Sequence, residues 1–214
     1  FNAYQVRIER LLGDVKSYIR SNPWRLVWSR VKVNNIGWRL VHENQTRYIG
    51  QKTADWDLKL DPDKRHWDRR VTIKLPQSLA QAGAYLLTAE MQNGNTARII
   101  IWVSDTTIIK KPLDNKVLYY LADAVTGKPI SGATIDFFGY RTRQITGKNR
   151  YQIQHQAFSR QTDENGLISL MPTEMERNMS WLATFNAAGR MAFLGFSRVW
   201  YPNYRDRKYN QTKT

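Results

Sequence analysis

The sequence predicts a mainly β protein: two tandem β-sandwich domains behind a short N-terminal helix. Three observations predict it. Short runs of alternating apolar and polar residues recur at spacings of about 8–12 residues through most of the chain. Turn signals separate them, among them Asn93-Gly94, Thr126-Gly127-Lys128-Pro129 and Asp163-Glu164-Asn165-Gly166. The 214 residues are 42% hydrophobic and include eight Trp, enough to fill real cores and to argue against global disorder.

The first segment is helical in period. Between Tyr4 and Ile19, the residues Ile8, Leu11, Leu12, Val15 and Ile19 fall on one face, and Asn22-Pro23 is a stop signal. From Trp24 the reading turns to strands: Arg25–Val33, Gly37–Asn44, Thr46–Gly50, Ala54–Leu60, Arg69–Leu75, Gly83–Met91 and Ala97–Ser104. Turn residues such as Asn34-Asn35, Asn44-Gln45 and Asp61-Pro62-Asp63 separate them. A linker is expected at Asp105–Asp114, where Pro112 would stop a ladder.

The second half gives a further set: Val117–Asp123, Thr134–Tyr140, Arg150–His155, Ala157–Thr162, Leu167–Leu170, Ser180–Asn186 and Met191–Phe196. Gly127 can take positive φ and Pro129 cannot extend a ladder, so Thr126–Pro129 is a turn. Asp163–Gly166 reads as a hairpin turn with Gly166 left-handed. Ala187-Ala188-Gly189-Arg190 makes the last hairpin, and Arg141–Asn149 reads as a long, basic, exposed connection. The expected division is a helical lead-in over 1–23, a first sandwich over 24–108, a second over 113–202, and 203–214 linking to a further domain.

These phrases carry a resemblance. Gly83–Leu113 (GAYLLTAEMQNGNTARIIIWVSDTTIIKKPL), then LADAVTGKPISGATIDFFGY, TDENGLISL and Trp181–Tyr201, resemble the N-terminal macroglobulin-like domains of bacterial α-2-macroglobulin family proteins. The likeness is strongest to the large envelope proteins of planctomycete-type bacteria. It covers residues 80–202 well and 1–79 more vaguely. The resemblance implies macroglobulin/immunoglobulin-like sandwiches and a chain excerpted from a longer protein, with Tyr209–Lys213 leading into another such domain. Family members trap or restrain proteases or guard the envelope. Many carry a bait segment and a Cys–Gln thioester in a domain far C-terminal to this region. With no cysteine in the chain, no reactive residue carries over. What transfers is the role of scaffold and spacer, in a parent that is periplasmic, secreted or otherwise in the cell envelope. The expected partners are neighbouring domains of that parent and, through it, target proteases.

The absence of cysteine also excludes disulfides, zinc–thiolate sites and cysteine nucleophiles. Net charge is +15, with 18 Lys/Arg against 10 Asp/Glu in residues 1–110 and 15 against 8 in 111–214. This even excess is unlike a concentrated nucleic-acid arm. Two denser stretches are candidates for polyanion contact: Arg141, Arg143, Lys148 and Arg150, and Arg198, Arg205, Arg207 and Lys208 among aromatics. Solvated loops commonly carry such runs, so weak, salt-sensitive adhesion to polyanions is expected. The alternative function is a binding module for an anionic polymer such as a glycan or nucleic acid.

Signals for chemistry are few. His42, His66 and His155 have no His partner at metal-ligand spacing. Asp61, Asp63, His66 and Asp68 form the nearest thing to a ligand cluster, but they lack the spaced oxygens and glycine of a calcium loop. Asp163–Gly166 is needed by its turn, and Gly127-Lys128 lacks the rest of a phosphate loop. Asp55 and Asp57 fall on one exposed strand face rather than across a cleft. Trp24, Trp28, Trp38, Trp56, Trp67 and Trp102 could stack on carbohydrate, but aromatics more often fill sandwich cores or interfaces. The expectation is a non-enzyme with no metal and no cofactor.

Overall fold

The computed structural model describes residues 1–60, 70–92, 94–147 and 150–201. The protein is mainly β and divides into two compact units. The division falls inside the first helix, between Leu11 and Leu12, then between Asn34 and Asn35, and again between Val103 and Ser104.

Unit one, residues 1–11 and 35–103, is built on an antiparallel sheet of four strands. These are β1 (Asn2–Val6), β2 (Ile49–Asp55), β3 (Gly83–Glu90) and β4 (Thr96–Val103), ordered β2-β1-β3-β4. The first residues of the chain are thus an interior strand, not the start of the expected helix. Helix α1 begins only at Ile8 and runs to Arg20. Ala3, Leu79, Tyr85 and Leu87 form a core on one sheet face, against which Phe1, Ala54, Trp56, Ile101 and Val103 pack.

Several expected strands of the first half are not strands. Arg25–Val33 holds a short helix α2 (Trp28–Val31), because its buried residues are Leu26, Val31 and Val33 rather than every second position. Gly37–Asn44 is mostly helix α3 (Ile36–Val41), which buries Ile36, Arg39 and Leu40, the i, i+3, i+4 set of one helical face. Thr46–Tyr48 is a turn of 3₁₀ helix, and β2 follows it. Residues 56–60 and 70–76 take no regular structure. Asp61–Arg69 and Asn93 lie outside the described residues.

Unit two, residues 12–34 and 104 onward, is a β-sandwich. One sheet has the order β11-β10-β7-β8, from β7 (Thr134–Gln144), β8 (Tyr151–Gln161), β10 (Ser180–Ala187) and β11 (Arg190–Arg198). The other is β5-β6-β9, from β5 (Thr106–Leu113), β6 (Lys116–Asp123) and β9 (Leu167–Leu170). The expected linker at Asp105–Asp114 is therefore strand β5. Pro112 is tolerated because β5 is an edge strand, paired on one side only, with Pro112 opposite Val117. The runs Arg150–His155 and Ala157–Thr162 are one strand, β8. The basic connection is shorter than expected because β7 and β8 stay paired out to Gln144 and Tyr151.

Between the sheets lies a core that includes Tyr119, Leu121, Ile135, Phe137, Leu170, Met175, Trp181 and Tyr201. The outer face of the four-stranded sheet is not bare. The C-terminal half of α1 crosses it, with Arg20 5.2 Å from the Phe138 ring centroid and Lys16 donating to Thr184 Oγ1 at 3.2 Å. Asn22, in the left-handed region at φ 50, ends the helix. Its Oδ1 then accepts the Ile153 N–H at 2.9 Å, so one residue stops the helix and caps the edge of β8. The Trp24 carbonyl accepts the Tyr151 N–H at 3.2 Å, continuing that cap.

Candidate functional site

The polar side chains of unit two gather first around the Asp123–Pro129 turn. Asp123 ends β6, and its Oδ1 accepts from the Val125 N–H at 3.1 Å, the Thr126 N–H at 2.8 Å and the Thr126 hydroxyl at 2.9 Å. Gly127 takes φ 70 to complete the turn, as its sequence required. Asp123 Oδ2 accepts from Arg190 at 2.8 Å. Arg190, at the start of β11, also donates to Thr106 Oγ1 at 2.8 Å and to the Asp105 carbonyl. One guanidinium thus ties three segments, the fork geometry serving several acceptors at once.

These bonds hold the Asp123 carboxyl well below the usual carboxylate range, the Thr126 backbone and hydroxyl bonds first and Arg190 after them. A depressed carboxylate contributes stability above its unfolded pKa, and that stability is lost as pH falls through the folded value. Glu174 shifts the same way, through the Met171 N–H and Arg160. The melting temperature should therefore fall as pH drops below about 4, the ordinary carboxylate range. Asp123→Asn should melt lower than the parent at neutral pH and lose less on acidification. Melting curves from neutral pH to pH 2 check this, and an unchanged acid slope in the variant would refute the assignment.

Two half-buried lysines and three tyrosines are also engaged in the fold. Burial lowers the Lys16 and Lys110 amines, which donate to Thr184 Oγ1 and to Ser197 Oγ at 2.6 Å. Burial raises the phenols of Tyr119, Tyr140 and Tyr201. Tyr119 donates to Met175 Sδ and Tyr201 to the Met175 carbonyl, 2.7 Å away. Among the described residues, no three His, Asp or Glu side chains converge as a metal site.

The sequence-predicted contacts are scattered. Arg141 is ion-paired with Glu176 at 2.8 Å and bonded to Gln154 at 2.7 Å. Arg143, opposite Gln152 in the ladder, and Arg150 are exposed. Arg198 is exposed at the end of β11. Lys148, Arg205, Arg207 and Lys208 lie outside the described residues, as do Asp61, Asp63, His66, Trp67 and Asp68. His42 stacks on Trp38 at 4.0 Å, and His155 faces Phe138 at 6.0 Å. Asp55 pairs with Lys52 at 3.5 Å, and Asp57 is exposed.

The tryptophans depart from a core assignment. Trp24, Trp28, Trp38 and Trp102 are exposed by 64%, 57%, 53% and 45%, and Trp56, stacked on Phe1, is half-buried. Among the described tryptophans, Trp181, which sequence reasoning did not single out, is the buried one. Its signal was Gly139. The two residues are directly paired across β7 and β10, and only glycine leaves room for the indole.

No family model and no curated protein sequence matches the chain. Solved structures do match, and two of them are of one protein. One is native alpha-2-macroglobulin from Escherichia coli spanning domains NIE-MG1, at 16% identity and a TM-score of 0.53, covering 91% of this chain and 81% of that one. The other spans MG0-NIE-MG1 of the same protein, at 15% identity and a TM-score of 0.52, covering 91% of this chain and 53% of that one. Identity this low speaks to fold alone, and in fold the chain is macroglobulin-like.

Proposed function

We propose that this chain is a non-catalytic scaffold segment of a larger bacterial α-2-macroglobulin-like protein of the cell envelope. The observation that carries the reading is the fold likeness over 91% of the chain to structures of such a protein. The polar chemistry supports it. Asp123, Arg190, Glu174, Lys16 and Lys110 are each bonded into a turn or a strand, where a catalytic group would face a cleft. The motif DAVTGKPI is explained by the turn it builds. In this reading the parent is an envelope protein of a planctomycete-type bacterium and acts on proteases through domains outside this segment.

The test is activity and inhibition of the chain itself. It should neither cleave peptide or glycoside substrates nor slow a panel of endoproteases, and it should bind no metal stoichiometrically. Turnover that survives purification and disappears on a point mutation would overturn the scaffold reading. So would a tightly bound ion at one per chain.

A further inference from the structure

Among the long stretches of the chain without Asp or Glu are two that meet in the fold. One is Val15–His42, with Lys16, Arg20, Arg25, Arg30, Lys32 and Arg39; the other is Phe137–Thr162. Within unit two the fold brings Arg20–Trp24 of the first against the second, and carries the strap on to Val33 and Asn34, which lie against Gly195 of β11. The joints are Arg20 on Phe138, Asn22 on Ile153 and Trp24 on Tyr151. Leu26, Val31 and Val33 are buried and anchor the strap. The residues beside and between those anchors project outward: Trp24 at 64% exposure, Val27 at 48% and Trp28 at 57%.

The charge beside them is one-signed. Arg25 and Lys32 on the strap are exposed, as are Arg143 and Arg150 near the hairpin end. Among the described residues, no ion pair engages any of these four. Glu174 and Glu176, which reach cations of this hairpin, hold Arg160 and Arg141 instead. Ile145 and Tyr151 add 41% and 39% exposure at the same end.

We propose that this face of unit two docks on a bilayer surface bearing anionic headgroups. Trp24 and Trp28 sit at the headgroup level, Val27 enters the acyl boundary, and Arg25, Lys32, Arg143 and Arg150 meet lipid phosphates. Tryptophan favours that interface because one ring has an apolar body and a polar N–H. Basic residues around an exposed apolar face are the pattern of interfacial binding to acidic lipid. A soluble polyanion is the weaker fit. It would satisfy the cations but leave Val27 and Ile145 in water, with nothing gained from their exposure.

The test is co-sedimentation with vesicles of equal parts phosphatidylglycerol and phosphatidylcholine, against phosphatidylcholine alone, with heparin as a soluble comparator. The chain should pellet with the acidic vesicles and not with the neutral ones. Trp24→Ser with Trp28→Ser should weaken that binding by about tenfold while leaving heparin binding intact, since the tryptophans act through the interface. Arg25→Gln with Arg150→Gln should weaken it and reduce its salt dependence. Lys111→Gln with Lys116→Gln, removing equal charge from β5 and β6, should leave it unchanged. All these positions are exposed, so melting curves should match the parent's. The proposal fails if the tryptophan pair has no effect on vesicle binding. It fails equally if Lys111/Lys116 and Arg25/Arg150 matter alike, which would mean diffuse net charge. Heparin binding without vesicle binding would assign the face to a polyanion.

Discussion

Gly139→Ala is expected to destabilise the sandwich by roughly 3 kcal/mol, the upper end of overpacking costs. A Cβ at position 139 would stand 2.7 Å from Trp181 Cε3 and Cζ3. The indole cannot move aside. It is 2% exposed, its Nε1–H donates to the Glu176 carbonyl at 3.0 Å, and its edge meets Phe158 with centroids 5.5 Å apart. Trp181→Leu alone should cost roughly 2–4 kcal/mol through the cavity it leaves. In the Trp181→Leu background, adding Gly139→Ala should cost much less than in the parent, because the clashing ring is gone. A double-mutant cycle by urea denaturation reads the coupling. Strict additivity would show that the alanine acts through backbone entropy and not through the indole.

That pair shows how unevenly the sequence discloses the fold. The strands of unit two were legible because turn chemistry frames them. Gly127, Gly166 and Gly189 all take positive φ, at 70°, 70° and 76°, where the turns needed them. Strand β5 was misread because Pro112 signals a break, whereas an edge strand needs only one set of ladder bonds. The start of the chain was misread for a different reason. Asn2–Val6 is too short to show its period beside the strong helical pattern of Ile8–Ile19, and its place inside a sheet depends on β2 and β3, far away in sequence. Helix α3 had a helical signature in Ile36, Arg39 and Leu40, hidden by an arginine on the buried face. Arg39 is tolerated there because Nε donates to Gln45 and the guanidinium lies 5.5 Å from the Tyr48 ring centroid.

The docking face was legible in the wrong coin. Counting charge by halves makes the excess look even, and counting basic residues in short windows points to Tyr140–Tyr151. The sharper signal is the absence of acid from Val15 to His42, which contains Trp24 and Trp28. Sequence could show that run but not its apposition to the β7–β8 hairpin, which is made by a side-chain cap from Asn22 and a single backbone bond from Trp24.

Gly166→Ala should be among the most damaging single-methyl additions in the protein, and Gly127→Ala supplies its control. Both glycines have φ 70, so alanine at either pays the left-handed backbone cost of about 1–2 kcal/mol. They differ in surroundings. Nothing lies within 4 Å of a Cβ at Gly127, but one at Gly166 would meet the Leu121 carbonyl oxygen at 2.7 Å and Pro129 Cβ at 2.9 Å. The carbonyl belongs to β6 and accepts the Ile130 N–H at 3.0 Å, while the Leu121 N–H donates to the Gly166 carbonyl at 2.9 Å. Relief of the clash must therefore break the bonds that join the Asp163–Gly166 turn to β6 and the Asp123–Pro129 turn. Gly166→Ala should accordingly cost roughly 3 kcal/mol or more, adding an overpacking term to the backbone term. At a few degrees per kcal/mol for a unit this size, its melting temperature should fall by about 10 °C, and that of Gly127→Ala by about half as much or less. Equal losses at the two sites would mean that φ alone governs them, and that the two turns are not locked together through Leu121.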